Sequence, residues 1–291
     1  MVYLRTKTVK NVPYYYLIQS IRQDGKTKKI EKYIGREEPS ESELEKLKIA
    51  FHAQLQSKEW ICLNKETFEL IEQIRTIKPE LKNEQLMDFC INFTYNTNAI
   101  EGNKLTPEET RDLFHKDIPS EKPFKDHIES FAHWKVFLNM TTTKKPLTKE
   151  LILQWHRELF KQAKPSIAGK FRKTNVRVAG YKAAHHLDVP YLMDEFLEWF
   201  REHRNKMNPV ELAAMTHLKF VKIHPFLDGN GRIARLLLNY VLNRSDYPMM
   251  TIEYNNRETY YKALDDFDDT QEEEVFVKYI IESFLNEHIP A

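Results

Sequence analysis

Along most of the chain apolar residues return every three or four positions. In NPVELAAMTHLKFVKI, Asn208 to Ile223, the residues Leu212, Ala213, Met215, Leu218, Phe220 and Val221 are dense enough to predict a buried helix. Asn208 stands as its N-cap, Pro209 at the first helical position and Glu211 three residues after the cap, a capping-box arrangement. After Gly231 apolar residues recur at Ile233, Leu236, Leu237, Tyr240 and Val241, one face of a second helix. The pattern therefore predicts two core helices joined by HPFLDGNG, and a loop held between rigid elements is where function tends to sit.

Two stretches alternate instead. In YYYLIQSIRQDGKTKKIEKYIG, Tyr14 to Gly35, two runs rich in Tyr and Ile flank Asp24-Gly25, the strongest short hairpin signal. This predicts a hairpin within a small β extension over residues 1–36, with a linker near 36–42 where REEPSES interrupts both patterns. From Glu43 onward the helical period dominates, giving a helical linker region over 43–85 and a helical body over 86–291. Inside that body GKFRKTNVRVAGYKAAHHLDVPY, Gly169 to Tyr191, alternates Val176 and Val178 around Arg177, places Gly180 at a turn and ends in a proline that cannot continue a helix. The expected fold class is mainly α: an all-α core carrying a β-hairpin, preceded by a small N-terminal β extension.

Composition narrows the class. A hydrophobic content of 41% over 291 residues supports a sizeable core. No run reaches the roughly 18 apolar residues of a membrane helix, and MVYLRTKTVKNVPYYY lacks the apolar segment of a secretory signal, so a soluble cytoplasmic protein without membrane contact is expected. Cys62 and Cys90 lie on apolar stretches with neither CxxC nor Cys/His spacing, which favours buried small hydrophobes over a disulfide framework or a zinc site.

The net charge is +1, but its distribution is uneven. Residues 1–36 carry Arg5, Lys7, Lys10, Arg22, Lys26, Lys28, Lys29, Lys32 and Arg36 against Asp24 and Glu31, leaving the remainder net acidic. Basic side chains among tyrosines suit nucleic-acid phosphates and base stacking. They also suit a solvated face on a docked sheet, and docking or target recruitment is favoured here over nucleic-acid binding.

The loop IHPFLDGNGRIAR, Ile223 to Arg235, concentrates chemistry. A helix N-terminus preceded by glycines offers unpaired backbone N–H groups and a positive dipole end, which together hold phosphate. Gly229 and Gly231 permit close approach, Asn230 adds side-chain donors, and Arg232 adds a bidentate cation, with Arg235 one turn on along the same side. Asp228 beside such a cradle is placed to hold Mg²⁺, which favours one or two carboxylates plus substrate phosphates. His224, with an ordinary pKa near 6.5, is the candidate general base. The arrangement is neither a P-loop nor an HExxH site. Each residue alone has a plainer reading in a turn or a core; their conjunction in one loop is what points to a site.

HPFLDGNGRIAR resembles the signature loop of the Fic family, HxFx(D/E)GNGRxxR, at every defined position. The likeness runs from about Leu86 to Leu285, including RETYYKAL at Arg257 to Leu264. It implies a Fic-domain core with a flap hairpin at Val176, Arg177 and Val178, along which a protein substrate binds by main-chain pairing. It implies a nucleotidyltransferase, specifically a protein adenylyltransferase that moves AMP from ATP onto a Ser, Thr or Tyr hydroxyl (AMPylation), including self-modification. His224 would then be the base, Asp228 the Mg²⁺ ligand, and Gly229, Asn230, Gly231, Arg232 and Arg235 the ATP-binding set, while Phe226 anchors the loop in the core.

Upstream, TNAIEGN at Thr97 to Asn103 matches the family's inhibitory pattern (S/T)xxxE(G/N) through Thr97, Glu101 and Gly102. That resemblance implies autoinhibition, with Glu101 reaching Arg235. Tyr261 matches a nucleotide-pocket tyrosine, but Asp268 stands where relatives carry Asn, which leaves the nucleobase open. Also open are the removal of AMP by the same site, a nucleic-acid-associated regulator using it as a nucleotide sensor, and a homodimer of the kind many relatives form.

Overall fold

The computed structural model describes residues 2–9, 12–23, 26–56, 69, 71–74, 83–178 and 181–289. Asp24, Gly25, Cys62 and Gly180, and with them both expected turns and part of the 43–85 region, lie outside the described residues. The chain divides into two compact units, Met1–Cys62 and Leu63–Ala291.

The first unit holds an antiparallel sheet in the order β1 (Val2–Val9), β2 (Val12–Gln23), β3 (Lys26–Gly35), with α1 (Glu41–Gln56) packed on β1. The register Gln23↔Lys26 leaves a two-residue connection where Asp24-Gly25 predicts one. β1 is the strand that the sequence reading leaves unassigned. It alternates only weakly, and its pairing of Arg5 with Tyr16 and Lys7 with Tyr14 is set by its partner. Leu17, Ile18 and Phe51 are buried here. The basic residues are partly answered from within: Arg5 and Lys7 both pair with Glu31, and Lys7 lies 4.4 Å from the centre of the Tyr16 ring. Ser40 caps α1 reciprocally with Glu43.

The second unit is helical. It contains α2 (Asn83–Ile100), α3 (Pro107–His115), α4 (Phe124–Thr142), α5 (Lys149–Phe160), α6 (Val189–His203), α7 (Pro209–Ile223), α8 (Asn230–Arg244), α9 (Arg257–Thr270) and α10 (Glu273–His288). The hairpin β4 (Arg177–Val178) and β5 (Tyr181–Lys182) interrupts them, so the mainly α class with a hairpin flap holds.

α7 and α8 form the central antiparallel pair, with α6 and α10 against α7 and with α2, α4 and α5 against α8. Almost every residue of α7 and α8 is buried, which explains their dense rather than striped hydrophobicity. Asn208 caps α7, though its side chain accepts from the Val210 amide, one residue earlier than the capping box places it. In this unit a complete box stands at Thr106 and Glu109, at the start of α3. Cys90 is fully buried, and burial pushes its thiol up to about 12, in keeping with a small hydrophobe.

Candidate active site

The site opens where α7 stops. His224, at the C-cap, takes left-handed angles of φ 51° and ψ 59°, a helix-ending conformation, and Pro225 after it cannot continue the helix. Its ring is aimed by the helix end: Nδ1 lies 3.3 Å from the Val221 carbonyl. A carbonyl only accepts, so Nδ1 carries the proton and Nε2 keeps its lone pair. Burial holds the His224 pKa down to about 4, so the ring is neutral and able to take a proton throughout the neutral range.

The carbonyls at the end of α7 would otherwise be orphaned, and Arg172 satisfies them. Its Nε donates to the His224 carbonyl at 2.7 Å, Nη2 reaches the Ile223 carbonyl at 3.4 Å, and its own amide donates to the Pro225 carbonyl at 2.9 Å. The same guanidinium donates to the Thr174 and Ala184 carbonyls on either side of the hairpin. Arg172 therefore ties the foot of the flap to the backbone of His224.

The remainder of the loop is braced from inside. Phe226 is fully buried and stacks on His156 with ring centroids 3.7 Å apart. His156 Nδ1 accepts from the Gly169 amide at 2.9 Å, which leaves Nε2 to donate to the Asp228 carbonyl at 3.0 Å. Burial lowers its pKa to about 4, consistent with that neutral tautomer. Asn230 accepts from the Phe226 amide and donates to the Phe226 carbonyl, both at 2.9 Å. Its side chain thus shapes the loop from a buried position.

Gly229 must be glycine: its φ is +83°, and a Cβ there would lie 2.4 Å from the Phe160 ring. A Cβ on Gly231 would fall 2.4 Å from Glu101 Oε1. The Glu101 carboxylate therefore rests over the first turn of α8, where unpaired amides and the helix dipole favour an anion.

The two arginines of this turn part company, although their spacing suggests one side. Arg232 donates to Glu129 Oε2 at 3.0 Å and to Asp228 Oδ1 at 3.1 Å, with its guanidinium 4.7 Å from the Phe160 ring centre. Arg235 donates to Glu101 Oε1 at 2.7 Å, to the Thr97 carbonyl at 3.1 Å and to the Thr97 hydroxyl at 3.3 Å. Burial works against the charge of Arg235, and Glu101 together with Tyr260 and Tyr261 outweighs it. Behind it Tyr260 bonds the buried His217 at 3.0 Å.

Asp228 Oδ2 meets Lys164. Burial opposes the Asp228 charge, but Arg232 and Lys164 hold its carboxyl below the usual range. Tyr261 sits beside the Glu101–Arg235 pair, its hydroxyl 3.3 Å from the Ile100 carbonyl, whereas Asp268 is engaged with Lys222. The Thr97, Glu101, Gly102 motif thus reaches the end of the signature loop, and Val176, Arg177 and Val178 lie on or beside the hairpin that Arg172 anchors.

Arg172, His156, Lys164, Glu129 and Phe160 escape a reading of the sequence. Each meets the loop across 51 or more positions, and none sits in a local pattern that separates it from an ordinary helical or turn residue.

No group of three or more His, Cys, Asp or Glu among the described residues could hold a metal ion on its own. A half-exposed lone Asp228 fits Mg²⁺ of the kind bound by one carboxylate plus substrate phosphates and water.

Fold and loop together define a helical protein whose central helix pair carries a neutral histidine at one helix end and a glycine-led helix N-terminus at the next. Residues 146–242, which contain this loop, match the model of the Fic/DOC family. The protein adenylyltransferase Fic of Drosophila ananassae is 36% identical over 175 residues, which span 58% of this chain and 35% of the relative. The same-named protein of Nematostella vectensis is 35% identical over 177 residues, 58% of this chain and 41% of the relative. The chain thus matches well under half the length of these relatives.

Among solved structures, a Fic domain containing signalling protein from Bacteroides thetaiotaomicron is 29% identical with a TM-score of 0.69, covering 76% of this chain and 93% of that one. Fic-1 from C. elegans, at 24% identity and a TM-score of 0.66 over 84% of this chain and 72% of its own, shares the fold.

Proposed function

We propose that the chain is an autoinhibited protein adenylyltransferase that moves AMP from ATP to a Ser, Thr or Tyr hydroxyl of a target protein. The observation that carries the reading is a neutral His224, its Nε2 left as the acceptor, standing at the foot of an anion-binding turn. The relatives called protein adenylyltransferase Fic, at 35–36% identity, supply the reaction class.

His224 Nε2 takes the proton of the target hydroxyl as its oxygen bonds to the α-phosphorus of ATP. The bond from that phosphorus to the bridging oxygen breaks, and pyrophosphate leaves with its electron pair. Gly229 and the amides opening α8 receive the phosphate oxygens. Arg232 and Arg235 supply positive charge where it develops, and Tyr261 flanks the nucleoside. Mg²⁺ held by Asp228 would contribute further charge neutralisation at the phosphates. Target backbone pairs along Val176, Arg177 and Val178, which gives affinity with little demand on target sequence.

The Glu101 carboxylate on Arg235 supports autoinhibition, because the same guanidinium and the same helix end cannot serve carboxylate and phosphate together. Incubating the protein and Glu101→Gly with α-labelled ATP, CTP, GTP and UTP tests the reading. Label transferred to protein from ATP, and more of it in Glu101→Gly, is expected. No label from any nucleotide in either protein would sink the transferase reading.

A further inference from the structure

The signature loop and the inhibitory glutamate leave one charged contact of the site without a role. Lys164 lies outside both, in the turn that follows α5, and its ammonium meets Asp228 Oδ2. The backbone of that turn is fixed: the Lys164 amide donates to the Phe160 carbonyl at 2.8 Å, and its carbonyl accepts from the Ile167 amide at 3.2 Å. Pro165 follows and stiffens it further. The lysine therefore swings a flexible stem from a rigid base beside the carboxylate.

Both oxygens of Asp228 are engaged, one by Lys164 and one by Arg232. Mg²⁺ binding this carboxylate approaches an oxygen to about 2.0–2.1 Å, and a cation already bonded to that same oxygen repels it. One of the two partners has to yield. Arg232 cannot move cheaply: its side chain is 4% exposed, it is tied also to Glu129, and it lies against the Phe160 ring. Lys164 is 37% exposed, and an ammonium on a four-carbon stem reaches solvent by simple rotation.

We propose that Lys164 is the resident counter-cation of Asp228: it neutralises the carboxylate when no divalent ion is bound, gives way when one arrives, and so sets the affinity of the site for metal. This rests on the reading of Asp228 as the metal acid. Lys164 acts on the ion through Asp228 and is a positioning residue.

The exchange predicts an order of affinities. Lys164→Met removes the competitor and leaves a stem of similar length. Lys164→Arg substitutes a guanidinium that can bond both carboxylate oxygens and yields less readily. Titration with Mn²⁺ alone, following the electron-paramagnetic-resonance signal of the free ion at one fixed ionic strength, reads the affinity without reference to activity.

For a half-exposed ion pair the gain in Lys164→Met should be about two- to five-fold over the unmodified protein, with Lys164→Arg weaker than both. Equal affinities in Lys164→Met and the unmodified protein, or no retention of Mn²⁺ in either, overturn the proposal. Asp228→Asn separates the two levels. Its loss of Mn²⁺ alongside an unmoved Lys164→Met defeats the counter-cation alone, whereas Mn²⁺ retained in full by Asp228→Asn defeats the metal reading beneath it.

Discussion

Arg232 and Arg235 leave the same turn of α8 and enter two ion clusters of opposite character. Around Arg235 the cation is dry: the guanidinium is 2% exposed and fixed by three bonds to Thr97 and Glu101, although the Glu101 side chain itself is 25% exposed. Around Asp228 the setting is wetter, since the carboxylate is 30% and Lys164 37% exposed. A pair in the dry cluster resists breaking, because removing one partner strands the other, whereas a wet pair contributes little and exchanges readily. The difference suits the proposed roles. A latch that keeps ATP from settling should be hard to open without a trigger, and a metal ligand should be easy to load.

The largest effect that tests this contrast comes from acid. His133 and His217, packed near the arginines, are 1% and 0% exposed, and burial pushes both down to about 3. Their ordinary pKa is 6.5, so between that value and about 3 the unfolded chain binds more protons than the folded one. Their contribution is complete above about pH 6.5 and is lost as pH falls toward 3. The two together remove about 5 kcal/mol between pH 6 and 4, at about 1.4 kcal/mol per histidine per unit. Chemical denaturation across that range should show the decline, and His133→Gln with His217→Gln should flatten it. A profile unchanged by the double variant would mean that the dry side is wetter than its packing implies.

Next is the proposed base, His224. His224→Ala should lower AMP transfer by about 10² to 10⁴ while leaving the melting temperature close to that of the unmodified protein. Full transfer in that variant would remove the base assignment. Gly229→Ala tests the floor between the clusters. A methyl 2.4 Å from the Phe160 ring, on a residue held at φ +83°, should cost about 2–4 kcal/mol in denaturant unfolding.

Much of this site is local in sequence and therefore legible there. The capped, densely apolar Asn208–Ile223, the proline after His224 and the glycines before α8 dictate a helix, a break and a further helix from residues within a few positions of one another. The meeting of Glu101 with Arg235 spans 134 positions and is legible only through the resemblance of TNAIEGN to a family motif. The staple by Arg172 and the brace by His156 are not legible. In the sequence Arg172 is one more basic residue at the foot of a hairpin. His156 is one more polar residue in α5, and only the closed fold brings it to the Asp228 carbonyl. Periodicity reports which face is buried, not which polar group that face will meet, and the same limit hides β1, whose strand character comes from its pairing with β2.

The smallest effects give the most direct reading of the contrast, because they set one cluster against the other in a single measurement. Glu101→Gly leaves Arg235 buried without its carboxylate, though still bonded to Thr97, and should lower stability by about 1–3 kcal/mol. Lys164→Met removes a partner from a carboxylate that keeps Arg232 and reaches water, and should cost less than about 1 kcal/mol. Raising the salt from about 50 to about 500 mM screens exposed charges far more than buried ones. The Lys164→Met difference should therefore shrink in denaturant unfolding at high salt while the Glu101→Gly difference persists. If both differences shrink alike, Glu101 holds Arg235 through an exchangeable surface pair, and a nucleotide could displace it unaided. If the Glu101→Gly difference persists, opening the site requires an added interaction that favours Glu101 away from α8.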